Sequence, residues 1–271
     1  MSKLASATVS ENNLFFCDRP KGFRLINQSK SPKFYSSSSP IPSRSPLLRL
    51  NTLCLYYTMF PLNFPLRVLQ KAKAGDWVLD PFCGRGTTLF AARLLDLSSV
   101  GIASNPLAAA VTAAKLADTT PQAVIELAGN LLQRTPSILP IPSGTFWELC
   151  YHPDTLKEIC ILREALLTSC SSPEAIVLRA LLLGVLHGPL LATPSYLSNQ
   201  MPRTYATKPA AAVRFWIRKG LTQPPRINTF ELIKRKASFS ISQLPRQNLK
   251  PFPSSQFWRS SIRFGQHGEF G

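Results

Sequence analysis

Val78-Leu79-Asp80-Pro81-Phe82-Cys83-Gly84-Arg85-Gly86-Thr87-Thr88 is the stretch on which the fold of this chain turns. Trp77 to Asp80 is a short apolar run ending in a carboxylate, the pattern of a buried parallel strand. Gly84 and Gly86 lack a Cβ, so the backbone there can turn sharply and approach a ligand closely. Thr87 and Thr88 stand where the next helical pattern begins, placing hydroxyl and amide groups at the positive end of its dipole. A carboxylate followed by a glycine turn suits a ligand with an ammonium and a nucleoside better than it suits a pyrophosphate. The Gly-Lys-Ser/Thr ending of a phosphate loop is absent, which argues against a nucleoside triphosphate.

Outward from this stretch the pattern is α/β. Phe64 to Leu69 predicts a short helix with a proline in its first turn, and Gly75-Asp76 a turn. Thr88 to Leu97 alternates as a helix, Val100 to Ala103 reads as a second strand, and Pro106 opens a helix through Leu116. Strand, glycine loop, helix, strand, helix is the opening of a doubly wound parallel sheet, whose ligands bind at the carboxyl ends of the strands. A further helix is predicted over 121–134, followed by a proline-rich break over 135–143. Two more, 153–168 and 173–187, each carry proline in the first turn, and the second ends at Gly188. Leu156, Ile159, Cys160, Leu162 and Leu166 form the core stripe of the first.

The chain has 271 residues, 31 Lys plus Arg against 14 Asp plus Glu, a net charge of +17 and 45% hydrophobic residues. That apolar fraction supplies a real core and excludes wholesale disorder. The charge is uneven: residues 1–46 are net +5, residues 47–202 net +1 and residues 203–271 net +11. A near-neutral domain over 47–202 is therefore expected between a basic, Ser/Pro-rich disordered arm (1–46) and a poorly ordered basic segment (203–271). The arm has the hydroxyl-rich, basic character of a transit peptide, but Glu11 and Asp18 argue against organelle targeting. No pair among the six cysteines has CxxC spacing and there are three histidines, so no metal site is expected. With no secretory segment and no apolar run long enough to span a bilayer, a soluble cytoplasmic protein is expected.

Asp-Pro-Phe-x-Gly-x-Gly-Thr-Thr resembles the S-adenosylmethionine motif of the DNA methyltransferases that act on cytosine N4 or adenine N6, enzymes of restriction–modification systems. Met59 to Leu69, with Pro61 and Pro65, resembles the segment that in this family precedes the first strand and helps close the cofactor pocket. The resemblance implies a Rossmann-like class I methyltransferase fold, here incomplete and with added helices, and S-adenosylmethionine as cofactor. Asp80 would meet the methionine amino group, Gly84 and Gly86 would bring their backbone to the cofactor, and Phe60 and Pro61 would line its methionine end. Pro81, Phe82, Thr87 and Asn105 complete the implied cofactor set.

Two departures stand out. The family usually has Asp or Glu, a ribose ligand, where this chain has Ala103; Ser104 and Asn105 are the nearest substitutes. The family's Asn/Ser/Asp-Pro-Pro-aromatic loop, which holds the base amine and stacks the flipped base, has no counterpart. Gln223-Pro224-Pro225-Arg226 lacks the ring, and Thr193-Pro194-Ser195-Tyr196 follows a helix end, where a plain turn is the simpler reading. No catalytic residue is therefore assigned, and a truncated or frame-disrupted member is expected.

Cys83 reads as a small apolar filler and His187 as a helix-end residue. Lys234-Arg235-Lys236, with Arg214, Arg218, Lys219 and Arg226 and the rings of Phe215 and Trp216, fits a phosphate-contacting surface; DNA is the expected partner of Arg214 to Lys236, with RNA second. The function expected is site-specific DNA amino-methylation. Its alternatives are an inactive nucleic-acid-binding remnant of the fold, or an RNA guanine-N2 methyltransferase, whose first motif reads similarly but normally follows a long RNA-binding domain.

Overall fold

Pro106, Pro121, Pro153, Pro173 and Pro209 each begin a helix, where the fixed φ of the ring fits and its missing N–H is not needed. The computed structural model describes residues 46–51, 53–54, 61–73, 75–134, 138–189, 195–205 and 207–241, with the side chains of 46–48 and 203 left aside. Residues 1–45 of the arm predicted over 1–46, Phe60 and residues 242–271 lie outside the described residues. In order, the elements are α1 (Pro46–Asn51), α2 (Asn63–Leu69), β1 (Trp77–Asp80), α3 (Thr87–Leu94), β2 (Ser98–Gly101) and α4 (Pro106–Leu116). Then follow α5 (Pro121–Leu132), α6 (Thr145–Cys150), α7 (Pro153–Thr168), α8 (Pro173–Val185), α9 (Pro209–Arg218) and α10 (Thr229–Ile241).

These divide into two units, the first holding α2 to α4 and the second α1 together with α5 to α10. In the first, β1 and β2 pair in parallel with Trp77 opposite Ser98 and Asp80 opposite Gly101. The predicted second strand thus lies two residues earlier than expected, because Ser98 and Ser99 pair with Trp77 and Val78. Its apolar half still extends the ladder: Ile102 N–H donates to the Asp80 carbonyl, and Cys83 N–H to that of Ile102, both at 3.0 Å. Helix α3 packs on both strands, and Val78 and Ser99 are buried. Trp77 and Leu79, 45% and 65% exposed, point to the opposite face. Among the described residues the sheet has two strands, and the remaining regular elements are helices.

The second unit is helical. Helix α5 packs on α7, α8 and α10, and α10 in turn on α1. Thr120 and Ser172 cap α5 and α8 through their hydroxyls. The weak order expected from residue 203 onward does not hold for 207–241, which forms α9 and α10. Trp216, expected as an interleaved surface ring, is fully buried and donates from Nε1 to the Gln200 carbonyl at 2.8 Å. Asn199 Nδ2 donates to the carbonyls of Leu149 (3.0 Å) and Leu221 (2.8 Å). Such bonds satisfy the backbone of an irregular chain that has no ladder of its own. Among the described residues, no helix is long and apolar enough to cross a membrane.

Candidate functional site

The strand β1 carries Asp80 to the carboxyl edge of the parallel pair, and residues 81–86 turn the chain back into α3. Three local bonds shape the turn. The Asp80 carboxylate accepts from Phe82 N–H at 3.1 Å, Gly86 N–H donates to the Cys83 carbonyl at 2.7 Å, and Phe90 N–H donates to the Gly86 carbonyl at 2.9 Å. Gly84 and Gly86 have φ of +49° and +68°, the left-handed region that side chains rarely adopt. At Gly86 space is closed as well: a Cβ there would lie 2.6 Å from Thr112 Cγ2. The glycines expected from sequence to shape the turn therefore do so, for reasons visible in the backbone.

The support beneath the turn comes from residues that the sequence reading did not single out. From α4, Thr112 Oγ1 donates to the Gly84 carbonyl at 3.1 Å and Lys115 Nζ to the Arg85 carbonyl at 2.5 Å. Lys115 is fully buried. A lone lysine near the end of an alanine-rich apolar helix is the trace of this arrangement in the sequence, and it passes for an ordinary last-turn cation.

Phe82 is 91% exposed, and Pro81 and Pro61 are also on the surface. Thr87 is buried in the first turn of α3. Asn105 caps α4, its Oδ1 accepting from the N–H groups of Leu107 (2.8 Å) and Ala108 (3.3 Å). Ala103 packs with Cys83, Leu89, Ala108 and Ala109, so a methyl group fills the place where the resembling family has its ribose carboxylate. Cys83 itself is buried, and that burial, with the nearby Asp80 carboxylate, pushes its thiol up to about 11. It stays protonated at neutral pH and is no nucleophile.

Residues 28–114 match the family model of DNA methylase, a segment that takes in the strand, the turn and α3. Over that segment the chain is similar to the DNA methylase family. No curated protein and no solved structure matches the chain. For a DNA methylase the implied substrate is DNA. The tetrapeptide weighed as its base-holding loop ends at Tyr196; Thr193 and Pro194 lie outside the described residues. The Tyr196 ring lies against Gly188, so close that a Cβ on Gly188 would collide with it.

His187, read as a helix-end residue, follows α8 and accepts a packing role. Its Nδ1 lies 3.2 Å from Tyr151 Oη, and burial lowers its pKa from the ordinary 6.5 to about 4. Unfolded, the ring takes up a proton near pH 6.5; folded, it resists until about pH 4. Its contribution is thus complete above pH 6.5 and is lost as the pH falls toward 4, up to about 3 kcal/mol. Urea titrations at pH 7 and pH 4.5 should show that loss in the native protein, and His187→Gln should flatten it.

Proposed function

We propose that this DNA methylase segment uses S-adenosylmethionine and that the chain methylates an exocyclic amino group of cytosine or adenine in DNA. The observation that carries the reading is the turn itself: a strand-end carboxylate followed by two left-handed glycines at the start of a helix, inside the family-matched segment. The fit to the cofactor rests on the same residues. Asp80 offers a carboxylate to an ammonium group. Gly84 and Gly86 present backbone without side chains, and Phe82 offers an exposed ring at the rim. Pro81 and Pro61 would border the pocket, while Thr87 and Asn105 serve the starts of α3 and α4. When bound, S-adenosylmethionine supplies an electrophilic methyl group for a base nitrogen. The chain's own part is to hold its polar end and exclude water from it. A Rossmann-like continuation of the parallel pair belongs to the same reading.

The exposed cations Arg214, Arg218 and Lys219 on α9, with Lys234 and Arg235 on α10, support phosphate contact by this segment. Arg214 and Arg218 are one helical turn apart, on the same face. Arg226 pairs with Asp154 at 3.2 Å, and Lys234 with Glu231 at 3.6 Å.

A second reading, a nucleic-acid-binding remnant without transfer activity, is favoured by the packing of the Tyr196 ring against Gly188. Tritiated S-adenosylmethionine and mixed DNA separate the two. Label in DNA is the expected result; salt-sensitive binding of unlabelled DNA would support the remnant and overturn the methylase reading.

A further inference from the structure

The ammonium of Lys115 is fully buried, although a lysine side chain is almost never buried unless its charge is satisfied. Its Nζ donates to the Arg85 carbonyl at 2.5 Å, and Thr112 Oγ1, one turn earlier on α4, donates to the carbonyl of Gly84 at 3.1 Å. Arg93 Nη1 on α3 donates to the Lys115 carbonyl at 2.7 Å, tying the end of α4 to the helix that the turn opens. Two successive carbonyls of the turn are therefore drawn down onto α4, while Gly86 keeps φ at +68° above the Thr112 side chain. A hydrogen bond from a charged donor is worth about twice a neutral one, and in a buried place neither partner has water as an alternative.

We propose that Lys115 is a positioning residue: with Thr112 it locks the turn over residues 84–86, with Gly84 and Gly86 held in the left-handed region, in the shape that a bound cofactor requires. This rests on the reading that the turn receives S-adenosylmethionine. The locking itself concerns the free protein: a turn fixed in advance costs less ordering on binding.

The test compares the full chain with Lys115→Met, which keeps the length but loses the donor, and with the pair Thr112→Val and Thr112→Ser. Two quantities are read: amide hydrogen exchange over 82–88, with α7 as internal reference, and calorimetric affinity for S-adenosylmethionine. Lys115→Met and Thr112→Val should exchange faster over the turn with α7 unchanged, and bind about tenfold more weakly. Thr112→Ser, which keeps its hydroxyl, should restore both. Exchange and affinity equal to those of the parent protein in Lys115→Met and Thr112→Val would overturn the proposal. If Lys115→Met does not fold, the Val/Ser pair decides, because a merely structural role would not return with the hydroxyl alone. If the parent protein gives no heat with S-adenosylmethionine, the cofactor reading falls, while the exchange comparison still decides whether α4 locks the turn.

Discussion

Gly86→Ala is expected to abolish S-adenosylmethionine binding and to destabilise strongly the unit that holds the sheet. Two penalties add at this position. An L side chain at φ +68° costs about 1–2 kcal/mol, and its Cβ would stand 2.6 Å from Thr112 Cγ2 and 2.7 Å from Oγ1, adding about 1–3 kcal/mol of overpacking. Thr112 cannot swing away without giving up the Gly84 carbonyl. The sum, about 2–5 kcal/mol, is a large fraction of a small domain's stability of about 5–15 kcal/mol. Gly84→Ala supplies the control, since its φ of +49° carries the conformational penalty while the nearest atom to a Cβ is 3.9 Å away. Thermal melts followed by circular dichroism should show a shift in Gly86→Ala at least twice that in Gly84→Ala. Equal shifts would mean that Thr112 does not close the space above the turn.

How much of this was visible in the sequence depends on how far apart the determining residues lie. The strand, the turn and the helices of the first unit were legible because each is set by neighbours: an apolar run, a glycine, a proline in a first turn. The predicted helices over 106–116 and 153–168 match α4 and α7 in extent for that reason. The second strand was misplaced by two residues because Ser98 and Ser99 carry no strand signal, and their pairing with Trp77 and Val78 is a decision of the partner strand. Residues 203–241 read as part of a poorly ordered segment for a different cause. Their order comes from bonds such as that of Thr155 Oγ1 to the Ile227 carbonyl, 3.1 Å across 72 positions, and from the burial of Trp216, none of which has a period. Within the site, Asp80 and the two glycines were legible as local features. The support from Thr112 and Lys115 was not, because it spans 28 and 30 residues.

The same distinction bears on Ala103. A local comparison with the family marks it as a lost carboxylate, and packing explains what replaces it: Cys83, Leu89, Ala108 and Ala109 close over the methyl group. A carboxylate placed there would have to be buried among apolar groups without a partner, at several kcal/mol. On the proposed reading, cofactor affinity in this chain therefore leans more heavily on the polar group at the end of the first strand.

That dependence makes Asp80→Asn the sharper of the two tests of the site. The amide is isosteric, and its oxygen can still accept from Phe82 N–H, the bond that the carboxylate makes at 3.1 Å, so the turn keeps its shape while the charge is lost. A charged hydrogen bond to the cofactor's ammonium is worth about 1.5–3 kcal/mol, so calorimetric affinity for S-adenosylmethionine should fall about 10- to 150-fold. Asp80→Ala loses the turn bond in addition and should bind more weakly still, with faster amide exchange at Phe82. The melting temperature of Asp80→Asn should stay at that of the parent, since no buried contact is removed. Equal heats from the parent and the Asn variant would remove Asp80 from the site, and with it the reason for placing an ammonium-bearing nucleoside at this edge of the sheet.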